Sequence, residues 1–231
     1  PEIWLLETAF FDANGDMLPV KGAASLPGES PFGPGSAPSH LTDEQDRIPK
    51  LPTHMDEMYF DEIYHARTAY EHLNGMEFYE TTHPPLGKLF IAAGVWMFGM
   101  NPFGWRIVGT VFGILMVPIM YVFGKRLFCR TRYAFIAAFL LAFDCMHFVQ
   151  TRIATIDVYG VFFIILMFYE MYRYHTASFY DQPLRSTLKP LLFCGIFFGL
   201  GVASKWIGLY SGAGLAFLFF LTLYNRLREK R

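Results

Sequence analysis

The chain has 231 residues, of which 53% are hydrophobic and 18% aromatic, with a formal net charge of −1 at pH 7. That is too apolar for an ordinary soluble domain, and the near-neutral balance gives no electrostatic case for nucleic acid. Cys129, Cys145 and Cys194 are odd in number and lack metal-site spacing, so they read as small buried hydrophobes without a disulfide framework.

In chain order, residues 1–20 read as the end of an extracytoplasmic β domain. IWLLETAFF is strand-like, and Ala13-Asn14-Gly15-Asp16 is a turn signal before Met17-Leu18-Pro19-Val20. Residues 21–54, rich in Pro, Gly, Ser and charge, read as a linker. The chain opens on Pro rather than Met, with no signal peptide and no span before its polar stretch, which predicts a piece of a longer protein.

From Thr53 the pattern turns helical. Thr53 or Asp56 can cap, and Asn74-Gly75 suits the stop. Met58, Ile63, Ala66, Tyr70 and Leu73 form the expected apolar stripe, with Asp61, His65, Thr68 and His72 on another face. The result is an amphipathic helix on a membrane surface. Residues 86–100 follow two prolines and are short for a span, so they read as an interfacial helix. Spans of roughly 20 apolar residues are expected near 105–124, 132–150, 157–173, 189–204 and 206–224. This makes 55–100 an outer region and 101–231 a set of about five spans, in an all-α polytopic membrane protein with a short β remnant.

Eleven of the nineteen Lys and Arg residues, in clusters around Lys125, Arg173 and Arg226, fall on one side of this topology, which the positive-inside rule makes cytoplasmic. The opposite side receives Asp61, Glu62, His83, Lys88, Arg106, Arg152, Asp157 and Lys205. Ionisable groups are costly at a membrane, so their gathering on one side points to a polar reaction centre.

Asp61 and Glu62 point about 100° apart on a helix, so one can take a proton while the other binds or orients. In His83-Pro84-Pro85-Leu86-Gly87-Lys88 the prolines stiffen the chain, Gly87 permits close approach, and Lys88 is a point charge suited to phosphate. Arg106, Arg152 and Lys205 sit at the same expected depth and suit a lipid phosphate. Asp144 reads as structural or as a partner of Arg152. Each group also has a plainer reading, as a solvated helix face, a snorkelling lysine or an interfacial anchor. His54, His65, His72 and His83 raise a metal hypothesis, but no HExxH or comparable ligand set is present, and interface histidines are the simpler reading.

FDE, HPPLGK, the arginine of GWRIVGTVFG, QTRIATID and ASKWIGLYSG, in that order, resemble the protein O-mannosyltransferases. The resemblance covers roughly residues 56–224 and implies a GT-C membrane fold and inverting transfer of mannose from polyprenyl- or dolichyl-phosphate mannose to Ser or Thr hydroxyls of secreted or membrane proteins. It implies Asp61, with Glu62 beside it, as catalytic, and Lys88, Arg106, Arg152 and Lys205 as holding the donor phosphate. His83 and Asp157 would support them. RIATID departs from the more usual RxxLLD form at Asp157. No cofactor or metal is required, although related GT-C enzymes can use a divalent ion. The expected location is a bacterial plasma membrane or a eukaryotic endoplasmic reticulum, with the site on the extracytoplasmic or lumenal side. Family members have about eleven spans, so a chain lacking the first and ending near the sixth is expected to be inactive alone. Two alternatives remain: another GT-C enzyme moving an aminoarabinose- or arabinose-type lipid-linked sugar, and a non-catalytic lipid-binding protein or transporter.

Overall fold

The computed structural model describes residues 8–25, 37–43, 45, 48, 58–179 and 182–229. The chain divides into two compact units, Pro1–Glu57 and Met58–Arg231.

In the first unit β1 (Phe10–Phe11) pairs antiparallel with β2 (Met17–Leu18). The Asp12 carboxylate closes the turn by accepting from the N–H groups of Asn14 and Asp16 at 2.9 and 2.8 Å, a local bond that aspartate makes readily. Part of the expected linker is tied to this hairpin. The Thr8 N–H donates to the Leu41 carbonyl at 2.9 Å. Gln45 donates to the Thr8 carbonyl and accepts from the Val20 N–H, at 3.1 and 3.3 Å. The strand expected through residues 1–7 and the caps expected at Thr53 and Asp56 lie outside the described residues.

The second unit is helical: α1 (Glu62–Asn74), α2 (Leu86–Phe98), α3 (Pro102–Phe128), α4 (Thr131–Ala142), α5 (Cys145–Gln150), α6 (Asp157–His175), α7 (Leu184–Ser204) and α8 (Ile207–Glu229). It is an all-α polytopic membrane unit. α3, α7 and residues Ile207–Arg228 of α8 are long and apolar enough to cross a bilayer. They leave Ile114, Leu192, Phe217 and Phe220 exposed, as apolar solvent permits. α2, at 13 residues, is about 20 Å long by its rise per residue, short of a hydrocarbon core about 30 Å thick.

The expected span at 132–150 is not one helix. It breaks at Phe143–Asp144, where Asp144 leaves the helical conformation (ψ 121°) and its carboxylate accepts from the His147 N–H at 2.6 Å to cap α5. An aspartate at this point restarts a helix better than it continues one. Asp144 therefore caps α5, and no ion pair joins it to Arg152 among the described residues.

α1 begins later than the sequence pattern suggests. Phe60 adopts φ 54°, a left-handed conformation that stops a helix from running through it. The far end is as expected: Gly75 takes φ 62°, and the Met76 N–H returns to the Glu71 carbonyl at 3.0 Å.

α6 packs against α7 and α8, and α3 against α2, α4 and α6. α2 and α3 meet at glycines: a Cβ on Gly94 would lie 2.3 Å from the Gly104 carbonyl oxygen. One core surrounds Phe90, Phe112 and Tyr159, whose rings lie about 5.0 Å apart. A second, around Met167, Met171, Cys194 and Leu215, fills the other half of the α6–α7–α8 bundle.

Candidate functional site

α1 packs with its polar face inward and leaves most of the expected apolar stripe facing out. Its buried residues are Glu62, His65, Ala66, Thr68, Ala69 and Glu71, whereas Ile63, Tyr70 and Leu73 are exposed. The inward polar face is stable because its carboxylates are partnered, and an unpaired one would be too costly to bury.

Glu62 shows how. Its side chain is fully buried, and Arg106 at the start of α3 grips it through Nε and Nη2, each at 2.7 Å. The Ala154 N–H donates to the same carboxylate at 2.8 Å. So does the Tyr59 N–H at 2.7 Å, closing the turn that Phe60 makes. Burial pushes this carboxyl up, but the guanidinium and the two N–H groups outweigh it and hold the group below the usual glutamate range. One side chain thus joins α1, α3 and the 151–156 turn.

Lys88 is as firmly held. It pairs with the Glu80 carboxylate and donates to the Glu80 carbonyl at 2.7 Å. Glu80 also accepts from the N–H groups of Thr82 and His83, at 2.8 and 3.1 Å. Burial opposes ionisation of Glu80, but Lys88 and these donors pull it down to about 2. Sequence reasoning missed Glu80. It lies eight residues before Lys88 across a Pro-Pro turn, where no helical or strand spacing flags a pair.

The HPPLGK segment docks on the break between α7 and α8. The Trp206 Nε1 donates to the Thr82 carbonyl at 2.9 Å. A Cβ on Gly87 would lie 2.8 Å from Ile156 and 3.1 Å from the Ser204 carbonyl oxygen, so any side chain there would force the two segments apart. Beside this contact Lys205 Nζ donates to Asp157 at the start of α6, at 2.5 Å. Arg106, Glu62, the 151–157 turn, Asp157, Lys205, Trp206, Thr82, Glu80 and Lys88 therefore form one polar layer at one end of the bundle.

Two predicted residues stand apart from these pairs. Arg152 is exposed, and its guanidinium lies 4.7 Å from the centre of the Phe148 ring. Asp61 is half-buried at the N-cap of α1, and its carboxylate makes no capping bond. Among the described residues Glu62, Glu80 and Asp157 each hold a cation; Asp61 pairs with none.

His65, one turn after Asp61, is buried, and its Nδ1 has no hydrogen-bond partner among the described residues. Burial holds its imidazole below the usual value, against the pull of Asp61 and Glu80, with Lys88 and His83 acting in the same direction as burial. The His83 ring lies 6.4 Å away, and its Nδ1 is also buried and unpartnered. No group of three or more His, Cys, Asp or Glu that could hold a metal ion occurs among the described residues.

Residues 98–231 match the family model described as dolichyl-phosphate-mannose-protein mannosyltransferase. A polyprenol-phosphate-mannose–protein mannosyltransferase of Mycolicibacterium smegmatis (strain MKD8) is 33% identical over 182 residues, covering 69% of this chain and 35% of the relative. A protein of the same name from Corynebacterium glutamicum is 33% identical over 169 residues (63% and 31%). Dolichyl-phosphate-mannose–protein mannosyltransferase 4 of Saccharomyces cerevisiae is 24% identical over 192 residues (75% and 25%). The chain spans about a third of the length of the bacterial relatives. Arg106, Arg152, Asp157 and Lys205 fall inside the family match, while Asp61, Glu62, His83 and Lys88 precede it. With more than half of its length matched, including the cations on α3, the 151–157 turn and the α7–α8 break, the chain belongs to the dolichyl-phosphate-mannose-protein mannosyltransferase family.

Proposed function

We propose that the whole protein of which this chain forms part transfers mannose from a polyprenyl- or dolichyl-phosphate donor to Ser or Thr hydroxyls of a protein, with inversion at the sugar carbon. The polar layer is its reaction end and faces the extracytoplasmic or lumenal side. The observation that carries this reading is the status of Asp61. In a layer where Glu62, Glu80 and Asp157 each neutralise a cation, Asp61 keeps an uncommitted carboxylate at the half-open start of α1.

Asp61 takes the proton of the acceptor hydroxyl. The hydroxyl oxygen attacks C1 of the sugar from the face opposite the phosphate. The bond from C1 to the phosphate oxygen breaks, and the electron pair leaves with the lipid phosphate. Negative charge grows on that phosphate, and fixed cations stabilise it most where they need no rearrangement. Arg152 and Lys205 are the nearer candidates, because Arg152 has no carboxylate partner among the described residues and Lys205 pairs with a more exposed carboxylate than Lys88 or Arg106 does. The chemistry needs no metal.

Glu62 and Arg106 act in this reading as the brace that fixes Asp61 relative to α3 and the 151–156 turn. The ion pair at Lys88 and the bond from Trp206 to Thr82 set the position of His83.

Asp61→Asn in the full-length protein tests the base assignment. Mannosylation of an acceptor peptide is expected to fall by roughly 10²- to 10⁴-fold, the range for loss of a positioned base, with donor binding little changed. A rate near wild type would remove Asp61 from the mechanism. Offering arabinose- and mannose-charged polyprenyl phosphates side by side tests the sugar, and preference for the arabinose donor would replace the mannose reading.

A further inference from the structure

The three ion pairs of the polar layer differ in how far they are sealed. Side-chain exposure is 3% and 12% for Lys88 and Glu80, 17% and 0% for Arg106 and Glu62, and 21% and 41% for Lys205 and Asp157. Glu80 and Glu62 are bound by backbone N–H groups as well as by their cations. Asp157 has Lys205 as its one side-chain partner among the described residues, and Lys205 has Asp157. Removing a partner from a sealed pair leaves a buried charge uncompensated, whereas a pair open to solvent is screened and weakly held. An arriving anion can therefore take Lys205 far more cheaply than Lys88.

The place of Asp157 lowers the cost further. It is the first residue of α6, where the helix presents its positive end and unpaired N–H groups. A carboxylate displaced from Lys205 keeps that favourable field. Arg152, five residues earlier on the same turn, is exposed and carries no carboxylate partner among the described residues. An anion drawn to Lys205 thus has a second cation on the adjoining segment.

We propose that Asp157 is the exchangeable counter-ion of the donor phosphate. It holds the Lys205 ammonium in position beside α6 until the lipid-linked phosphate arrives, then yields Lys205 to it. When the sugar has left, Asp157 competes with the product phosphate for the same ammonium and so promotes its release. Asp157 touches neither sugar nor acceptor in this scheme; it is a positioning residue that acts through Lys205. The inference rests on the reading of Lys205 as a donor-phosphate ligand.

The experiment measures binding of polyprenyl phosphate, which carries no sugar to transfer, to the full-length protein in detergent micelles. Lys205→Ala is expected to weaken binding. Asp157→Asn, which removes the competing charge, is expected to tighten it roughly two- to fivefold, the range that an open ion pair corresponds to. Asp157→Glu restores the charge and should return to the wild-type value. The tightening should vanish in Asp157→Asn combined with Lys205→Ala. If Lys205→Ala weakens binding but Asp157→Asn leaves it unchanged or weaker, the counter-ion proposal is overturned while the donor reading stands. If Lys205→Ala has no effect, the donor role of Lys205 falls and the counter-ion proposal falls with it.

Discussion

The two ends of the helix bundle handle charge differently. In the polar layer the cations pair with carboxylates from other segments: Arg106 with Glu62, 44 positions away, and Lys205 with Asp157, 48 away. At the other end Arg173 pairs with Glu170 three residues earlier on the same helix, and the Arg226 guanidinium lies 3.2 Å from the centre of the Phe179 ring and donates to the Tyr174 carbonyl at 2.8 Å. The Arg173 pair lies within one helix and holds no tertiary structure, whereas the Arg226 bond to Tyr174 joins α8 to α6. In the polar layer it is carboxylate–cation pairs that join segments, and a bond between segments fixes their relative placement. The charges of that layer are therefore structural.

The sharpest way to break this contrast is to cut one brace. Glu62→Ala removes the carboxylate that the Arg106 guanidinium and the N–H groups of Ala154 and Tyr59 share. A loss of about 3–5 kcal/mol is expected, read as a lowered unfolding midpoint of the full-length protein. Combining it with Arg106→Ala should cost less than the sum of the two single changes, since the pair they share is lost only once. Strict additivity of the two changes would show that the pair is not coupled.

The second test concerns packing. Gly87→Ala forces a methyl group into the space between Ile156 and Ser204 and is expected to cost about 1–3 kcal/mol. Gly195→Ala, on α7 with nothing within 4 Å of its added carbon, should be neutral or stabilise by about 0.5–1 kcal/mol. Equal effects at the two sites would mean that the HPPLGK segment does not press on the α7–α8 break.

Much of this was legible in the sequence, and the misses have physical causes. Helix positions followed from apolar runs and from the Asn74-Gly75 stop, because both depend on local backbone chemistry. Membership of one polar layer was legible for Lys88, Arg106, Asp157 and Lys205, because each stands at the end of an apolar helix, and for Glu62 at the start of the helix that precedes them. Their partnerships were not: a pair formed across 44 or 48 residues leaves no periodic trace. The buried polar face of α1 was not legible for the same reason. Hydrophobic spacing marks Ile63, Tyr70 and Leu73 as the apolar stripe of a surface helix, and only the partners of Glu62 and Glu71 explain why the polar face is buried. Asp144 falls inside an expected span because the apolar run on both sides masks a local cap, its bond from the His147 N–H three residues on.

Acid titration separates the reaction end in another way. His65 has its folded-state value lowered from 6.5, so below that pH the unfolded chain binds the proton more readily and stability falls. Glu80, lowered from 4.5 to about 2, adds a second loss as pH drops through that interval. Unfolding midpoints measured from pH 7 to pH 5 should therefore decline in the wild type and flatten in His65→Gln. An unchanged slope would remove His65 as the source. A smaller effect is expected at the other end: Arg173→Ala breaks a pair within one helix and leaves the buried Glu170 carboxylate without that cation, which should cost about 1–3 kcal/mol. A loss as large as that of Glu62→Ala would erase the distinction between the two ends.

The arrangement of α6 and α8 carries one more consequence. These helices run side by side in the same direction, clasped at one end by Asp157 and Lys205 and at the other by the bond between His175 and Thr222, 2.8 Å long, and by Arg226 on Tyr174. Two rods fastened at both ends cannot splay. Each clasp joins residues distant in sequence, so the register of the two helices is set at both ends.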